Sequence, residues 1–351
     1  MKNRSKTQKN LQSSSQTAQE WTTAEEIQQG FRAANGLGGL TSGVKSSALK
    51  TQRAKRDRAR RTPSPKVGGL NVLRAQNLDD IPWLIHGFST RQGGVSKKYG
   101  GGQLNLGYTQ EDSPETVNRN RELLEHAVGA LDKKGKPWPL VNLHQIHSAI
   151  IHRVRRGAVT PKAGDGLITD TPGMLLAVKV ADCLPVIVVD RKRKAVGVFH
   201  AGWRGTTKRI VEKGVGEMRR QFGSDPKDLL AAIGPGIGKC CYEIGEEVES
   251  EFDSQFAYSK ELFEDFFDSW SLHTKYPLLF MNQRAPGHGE PALSRHLDLV
   301  KANRLQLRDA GVPDENIVSL ERCTACATDL FFSYRKERTT GRMMAVVGIR
   351  G

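Results

Sequence analysis

The sequence predicts an α/β fold with a mixed β-sheet core, and three observations support this class. Apolar runs of strand length, such as residues 195–199, alternate with amphipathic runs of helix length, such as residues 114–128. The run at residues 174–180 is apolar apart from Lys179, as expected of a strand covered on both faces. The chain of 351 residues is long enough to bury a large core. We therefore expect one folded domain over residues 67–351.

The first 66 residues differ from the rest of the chain in composition and charge. They hold 14 basic and 4 acidic residues, and so carry +10 of the net charge of +15. Residues 67–351 are nearly balanced, which argues against nucleic-acid binding by this part. Residues 1–66 are rich in Ser, Gln, Lys and Arg, which predicts a basic, disordered tail. Its run RAKRDRARR leaves open a nucleic-acid, anionic-membrane, transit-peptide or scaffold role for the tail.

The first predicted elements of the domain are two strands, the second of which ends near Phe88. A polar loop, STRQGG at residues 89–94, follows, and its glycines allow backbone N–H groups to approach an anion. The next element is a helix at residues 114–128, because Ser113 or Asp112 suits its cap and apolar residues recur on one face.

Residues 140–154, LVNLHQIHSAIIHRV, are predicted as a strand. In a strand, residues three apart face opposite sides, so only one of His144 and His147 can enter a site. Further strands are expected at residues 174–180, 186–189 and 195–200. A helix capped by Thr206 or Thr207 should then run to about Phe222.

The C-terminal third continues the same alternation. We expect these elements in order: a strand at 229–233, a helix at 245–252, a helical excursion and surface loop over 253–290, a helix at 297–310, a strand at 317–320, a helix at 329–335 and a strand at 343–347. Gly311 and Pro313 are the expected stop signals after the helix at 297–310.

Three side chains that follow or end apolar runs form the first candidate site: His147, Cys183 and His200. One Cys and two His are an incomplete tetrahedral set, as in a catalytic zinc site with one position left for water. A thiolate nucleophile, Cys183 paired with His200, fits the same residues. Copper also accepts these ligands, but the chain has no HxH motif, which disfavours multicopper oxidase chemistry.

A second set of residues suits an anion. Arg204 lies in the glycine-bounded turn after His200, ahead of a predicted helix, where it could bind phosphate with both arms. An ion pair at the surface is an equal alternative for Arg204. Arg91 lies in the polar loop, and Asn105 lies in a second loop expected near the same place.

The remaining four cysteines are Cys240, Cys241, Cys323 and Cys326. The last two have zinc-knuckle spacing, but adjacent side chains tend to diverge, so Cys240 and Cys241 are not expected to share one metal. We therefore expect simple buried thiols here, with a redox role as the alternative. A secretory apolar region and an apolar run of membrane length are both absent from the sequence, so we expect a cytoplasmic protein.

Several motifs together resemble the laccase-domain family. They are FSTRQGGVS, LNLG, ADCLPV, FHAGWRGT, IGPGIGKCCYEIGEEV, CTAC and FFSYRKERTTGR, and the resemblance covers about residues 75–351. Members of this family were first labelled multicopper polyphenol oxidases and are now described as purine nucleoside phosphorylases, and some bacterial members as peptidoglycan editing factors. The chain departs from the family pattern at Ser148, where glycine is commoner.

The resemblance implies a layered α/β sandwich, related to cysteine deamidases of the cytotoxic-necrotising-factor type. It implies a metal site of His147, Cys183 and His200, holding Zn²⁺ with Cu²⁺ as the alternative. The implied activity is phosphorolysis of adenosine, inosine, guanosine and methylthioadenosine, with some adenosine deamination. The implied partners are purine nucleosides and phosphate, and we expect a monomer or homodimer without membrane attachment. A cysteine-type amidase, a peptidoglycan-editing hydrolase and, less favoured, a polyphenol oxidase are the alternatives.

Overall fold

The apolar runs form strands and helices in the computed structural model, which describes residues 70–157, 163–266 and 294–351. The strands are β1 (Val72–Leu73), β2 (Leu84–Ser89), β3 (Gln92–Ser96), β4 (Leu140–Asn142), β5 (Ile151–Arg153), β6 (Gly166–Thr169), β7 (Leu175–Val180), β8 (Leu184–Asp190), β9 (Ala195–Ala201), β10 (Leu229–Ile233), β11 (Phe263–Phe266), β12 (Ser294–Leu297), β13 (Ile317–Ser319) and β14 (Met343–Ile349). The α-helices are α1 (Gln76–Asp79), α2 (Pro114–Val128), α3 (Trp203–Thr207), α4 (Ile210–Phe222), α5 (Glu246–Gln255), α6 (Leu299–Asp309) and α7 (Tyr334–Glu337).

Two mixed sheets make up the centre of the domain. The five-stranded sheet has the order β1-β2-β14-β7-β4, and only its β4–β7 pair is parallel. The six-stranded sheet has the order β13-β10-β8-β9-β6-β5, with parallel pairs at both edges. Strands β11 and β12 form a separate two-stranded sheet. The prediction of an α/β fold with mixed sheets is confirmed.

The two large sheets pack face to face, with helices on their outer faces. Alternation along β7 sends Leu176 and Val178 into the core between the sheets, and Leu175 and Ala177 to the opposite face beside α2. The outer face of the six-stranded sheet packs against α4 and α6. The domain is therefore a four-layer sandwich, ordered helix, sheet, sheet, helices, which explains why β7 and β8 are apolar on both faces.

Two connections carry the chain from the five-stranded sheet to the six-stranded sheet. The segment between β4 and β5 leaves the five-stranded sheet and enters the six-stranded one, and so does the short Ala181–Cys183 connection between β7 and β8. The prediction of one strand over residues 140–154 is therefore wrong, because the two ends of this segment pair with different sheets. This correction removes the strand-face argument that separates His144 from His147.

Local signals predict some elements well and others poorly. Helix α2 has the predicted bounds, and the Ser113 side chain accepts from the Thr116 N–H. The predicted helix ending at Phe222 begins only at Ile210, in α4, because Arg209 has a left-handed φ of 59°. The predicted turn before it forms a separate short helix, α3. Residues 92–96 form strand β3 where the sequence predicts a loop, and within the predicted helix at residues 329–335 only the last two residues are helical, in α7.

The predicted tail, residues 1–66, and most of the predicted excursion at residues 253–290 lie outside the described residues, so the domain boundary stays a prediction. In the part of the chain that the structure describes, no helix combines the length and hydrophobicity that crossing a membrane requires.

Candidate functional site

The structure brings His147, Cys183 and His200 together. Their ligand atoms all lie within 4.8 Å of one another, and Cys183 Sγ is 4.0 Å from His147 Nε2. The two imidazole rings meet edge to face, with centroids 5.0 Å apart. His200 is buried, Cys183 is half-buried and His147 is exposed, so the group opens to solvent on one side. We call these three residues the candidate metal centre.

Each side chain of the candidate metal centre is placed by a sheet-to-sheet crossover or a strand end. Cys183 lies in the β7–β8 crossover, directly after Asp182, whose φ is 90°. His147 lies in the β4–β5 crossover with a left-handed φ of 55°. His200 lies near the end of β9, where it pairs with Pro185 of β8. Positive φ values at two non-glycine residues indicate that tertiary contacts hold these turns in place.

Asp165 holds the histidine side of the candidate metal centre. Its carboxylate is fully buried and accepts from the His200 ring at Nδ1 (2.8 Å), from the Ser148 N–H and hydroxyl (both 2.7 Å), and from the N–H groups of Ile146 and His147. Since an ionised carboxylate only accepts, Nδ1 of His200 carries a proton, and Nε2 is the ring nitrogen that a metal could bind in exchange for its own proton. Burial acts to raise the pKa of Asp165, but the hydrogen bonds from His200 and Ser148 hold it well below its usual range.

Cys183 and His200 also form a charge pair. Burial raises the pKa of the Cys183 thiol, but the charge of His200 and the hydrogen bonds from both imidazoles outweigh it and lower that pKa to about 6. Burial lowers the pKa of His200, but Cys183 and Asp165 outweigh it and raise that pKa to about 9. Without a metal, the pair is therefore thiolate and imidazolium at neutral pH.

Cationic side chains lie beside the candidate metal centre. Lys208 Nζ is 3.4 Å from the His147 carbonyl oxygen, and the Arg204 guanidinium stacks 4.1 Å from the Trp203 ring. Burial raises the pKa of Tyr242, and so does the charge of Cys183, while Arg335 and Arg204 act against both. Arg204 and Arg335 therefore lie close enough to the Tyr242 hydroxyl to shift its pKa, as Cys183 does.

Arg91 and Asn105 lie in a different environment. Arg91 is buried, and its guanidinium donates to Glu337 Oε1 (2.8 Å), Gln103 and three carbonyl oxygens. The Asn105 side chain is fully buried and bonds to Gly107, Asp112 and the Arg342 N–H. The donors of both side chains are engaged within the fold, so their contacts support a structural role, and a role in ligand binding stays a prediction.

The donor set of the candidate metal centre fits a zinc ion. It offers one sulfur and two imidazole nitrogens, with the second nitrogen of His200 oriented by Asp165. Gly202 is required beside it, because a Cβ there would lie 2.7 Å from Cys183 Sγ and 3.2 Å from His147 Cδ2. No motif in the sequence indicates Asp165, because its role depends on contacts with residues 17 to 35 positions away.

The other four cysteines also lie together, contrary to the expectation that Cys240 and Cys241 diverge. The Sγ atoms of Cys240, Cys241, Cys323 and Cys326 all lie within 4.8 Å of one another. We call these four residues the thiol cluster. The expectation of buried thiols is wrong, because Cys240 and Cys326 are exposed and Cys241 and Cys323 are half-buried. None of the five cysteines is in a disulfide, and all five lie among the described residues.

A four-layer α/β sandwich with a His–Cys–His centre at its sheet crossovers defines the class of this protein. The chain belongs to the multi-copper polyphenol oxidoreductase laccase family, whose model matches residues 85–350. The expected resemblance to the laccase-domain family is thereby confirmed.

Particular relatives carry a different name. The chain is 38% identical over 289 residues to a purine nucleoside phosphorylase of Deinococcus radiodurans, covering 80% of this chain and 94% of that protein. It is 36% identical over 277 residues to the purine nucleoside phosphorylase YlmD of Geobacillus stearothermophilus, covering 76% and 90%. The crystal structure of YlmD from that organism superposes with a TM-score of 0.64 at 33% identity, over 82% of this chain and all of that one.

Proposed function

We propose that this protein is a metal-dependent purine nucleoside phosphorylase, which cleaves adenosine, inosine, guanosine or methylthioadenosine with inorganic phosphate. The convergence of His147, Cys183 and His200 beside cationic side chains carries the proposal. The names of the relatives support the reaction class. Zinc is the metal proposed, with copper as the alternative.

In this reaction a phosphate oxygen forms a bond to C1′ of the ribose, and the bond from C1′ to the purine nitrogen breaks. The purine leaves with the electron pair and takes up a proton. A protein accelerates the step by holding the phosphate against the sugar and by stabilising the charge that develops. When bound, zinc would act as a Lewis acid towards an oxygen or nitrogen of the substrate.

The residues around the candidate metal centre have distinct proposed roles. His147, Cys183 and His200 would hold the zinc, and Asp165 binds the Nδ1 side of the His200 ring, which leaves Nε2 as the nitrogen for the metal. Asp165 also fixes the crossover that carries His147, through the N–H groups of residues 146–148. The same carboxylate thus orients two of the three ligands.

Phosphate binding is proposed for Arg204, with Lys208 as a second cation. Arg204 is half exposed, and its nearest acid, Glu247, is 3.6 Å away and largely exposed, so the guanidinium can exchange this partner for an anion. Adenosine deamination, in which water adds at C6 and ammonia leaves, is proposed as a side activity of the same site. The cytoplasm, which keeps thiols reduced, is the proposed location.

A cysteine hydrolase is the second candidate, and a specific observation favours it. Cys183, His200 and Asp165 have the order and charge of a Cys–His–Asp triad, with a thiolate beside an imidazolium that a carboxylate orients. An amidase, a deamidase of the cytotoxic-necrotising-factor type or a peptidoglycan-editing hydrolase would use this arrangement. Polyphenol oxidation is less favoured, because a multicopper oxidase needs several histidine-rich copper sites. Of the two candidate metal clusters among the described residues, only one contains histidine.

The test measures metal content and phosphate-dependent release of adenine from adenosine on the same purified samples. We expect the parent to hold zinc and to release adenine only with phosphate, and Cys183→Ala to lose both zinc and turnover. His144→Ala is the matched control, because His144 is a neighbouring histidine outside the candidate metal centre. It should keep both properties.

Chelation separates the two candidates. A phosphorylase of the proposed kind should lose activity when zinc is removed and regain it when zinc is restored. A cysteine hydrolase should survive chelation and be inactivated by thiol alkylation. Full turnover of Cys183→Ala with unchanged zinc would show that the site is assigned wrongly.

A further inference from the structure

The thiol cluster joins two turns that are far apart in sequence. Cys240 and Cys241 lie in the turn after β10, and Cys323 and Cys326 lie in the turn after β13. The Sγ atoms of Cys240 and Cys241 lie 3.4 Å and 3.3 Å from that of Cys326. Strands β10 and β13 are parallel neighbours, so both turns follow strand ends on the same side of the six-stranded sheet.

The local backbone explains why adjacent cysteines converge here. The N–H groups of Cys241 and Tyr242 both donate to the Gly238 carbonyl, so residues 238–242 form a helical turn. Successive side chains in a helical turn are about 100° apart, compared with about 180° in a strand. Two neighbouring Sγ atoms can therefore reach one point from the same side.

The spacing and number of sulfurs fit a closed zinc site. Zinc binds thiolate at about 2.3 Å in tetrahedral geometry, which places the sulfurs about 3.8 Å apart. The observed separations, from 3.3 Å up to at most 4.8 Å, bracket this value. Four sulfurs fill a tetrahedral shell, which is typical of a structural zinc site rather than a catalytic one. Cys240 and Cys326 are exposed, so the ion can enter without unfolding.

Backbone groups support the thiolate form of the cluster. The Gly238 N–H donates to Cys323 Sγ at 3.2 Å, as outer hydrogen bonds do at metal-bound sulfurs. A Cβ on Gly238 would lie 3.2 Å from Cys323 Cβ and 3.3 Å from Cys240 Sγ, so the turn depends on a small residue for its close approach.

We propose that the thiol cluster is a second metal site, which holds a structural zinc ion through four thiolates. The ion would clamp the turn after β10 to the turn after β13. These turns also contact the residue before Cys183: the Asp182 carboxylate accepts from the Thr324 hydroxyl (2.7 Å), and its carbonyl accepts from the Ile237 N–H (2.7 Å). The clamp therefore supports the crossover that presents Cys183.

The test uses the full-length chain with the candidate metal centre removed by Cys183→Ser and His200→Ala, so that it does not depend on the proposed function. After reduction and zinc titration against a chromophoric chelator, we expect about one zinc per chain in this background, with a sulfur-only shell at about 2.3 Å in zinc X-ray absorption. Adding Cys326→Ser should abolish this zinc. Adding Cys326→His should retain it, with one nitrogen in the shell.

Two further measurements separate the outcomes. Far-UV circular dichroism and thermal unfolding show whether Cys326→Ser is folded, and Cys326→His shows that position 326 tolerates another ligand. Thiols counted after denaturation and chelation, without reductant, should number five in the parent, one for each cysteine. Three thiols and no zinc would indicate a disulfide. That result, or a reduced background chain that binds no zinc, would overturn the proposal whatever the phosphorylase assay shows.

Discussion

Replacing Asp165 by asparagine should weaken both the fold and metal binding. The carboxylate is fully buried and accepts five hydrogen bonds, two at Oδ1 and three at Oδ2. If the amide oxygen takes the Oδ2 position, its NH₂ group faces the His147 N–H and Nδ1 of His200. His200 can then accept only by moving its proton to Nε2, which removes the lone pair that would bind the metal.

The magnitude follows from the two lost acceptors. Hydrogen bonds to charged groups contribute about 1.5–3 kcal/mol each, so we expect a loss of about 3–6 kcal/mol in the free energy of unfolding. Domains of this kind are stable by about 5–15 kcal/mol, so the variant should be folded but marginal. Loss of such an outer partner lowers metal affinity about 10- to 100-fold, to which the changed tautomer adds.

Urea unfolding and zinc competition measure the two effects. Asp190→Asn is the matched control, because Asp190 is also buried but accepts the N–H groups of Lys192 and Arg193 through Oδ1 alone. Its amide oxygen can keep both bonds, so its stability should change by less than about 1 kcal/mol. Asp165→Asn with zinc affinity within about twofold of the parent, and with unchanged stability, would refute the orienting role of Asp165.

Three other predictions test separate features. Gly202→Ala should abolish metal binding, since its Cβ would lie 2.7 Å from Cys183 Sγ. Gly216→Ala is the control: it has open space at its Cβ and should stabilise helix α4 by about 1 kcal/mol. Metal analysis checks the first variant and thermal unfolding the second. Burial, with a smaller contribution from a neighbouring acid, raises the pKa of Glu125 to about 7, so the stability that this group contributes is full below about pH 4.5 and is lost as pH rises towards 7. Glu125→Gln should remove this dependence, worth about 3 kcal/mol at most, and a urea midpoint equally pH-dependent in the variant would contradict the assignment. Arg204→Ala should raise the KM for phosphate about tenfold and leave the KM for nucleoside unchanged, with partial recovery in Arg204→Lys; equal changes in both constants would argue against phosphate binding by Arg204.

The sequence predicts those elements whose signals are local. Helix α2 combines a capping serine, a first-turn proline and an apolar face, so its bounds follow from the sequence to the residue. The apolar runs before Cys183 and His200 also identify strands, because strands covered on both faces are apolar throughout. The sequence pattern alone therefore places Cys183 and His200 at strand ends.

Features that depend on distant contacts do not follow from local patterns. Residues 140–154 contain the apolar and β-branched residues of a strand, but the buried Asp165 carboxylate accepts three successive N–H groups, of residues 146–148, and holds them in a turn. Arg91 has the sequence context of an anion ligand because its loop is polar and glycine-rich, yet Glu337, 246 positions later, occupies its guanidinium. The convergence of Cys240 with Cys326 depends on the parallel pairing of β10 with β13, which no short motif encodes.

The position of the candidate metal centre has a mechanical consequence. His147 and Cys183 lie on the two connections that run from the five-stranded sheet to the six-stranded sheet, and His200 belongs to the six-stranded sheet alone. An ion bound by all three residues would cross-link the two sheets, and sliding of one sheet across the other would have to stretch the metal–ligand bonds. Core substitutions between the sheets should then change the rate of metal release, and loss of the metal should raise the rate of unfolding. The lifetime of the folded state would thus depend on occupancy of the site.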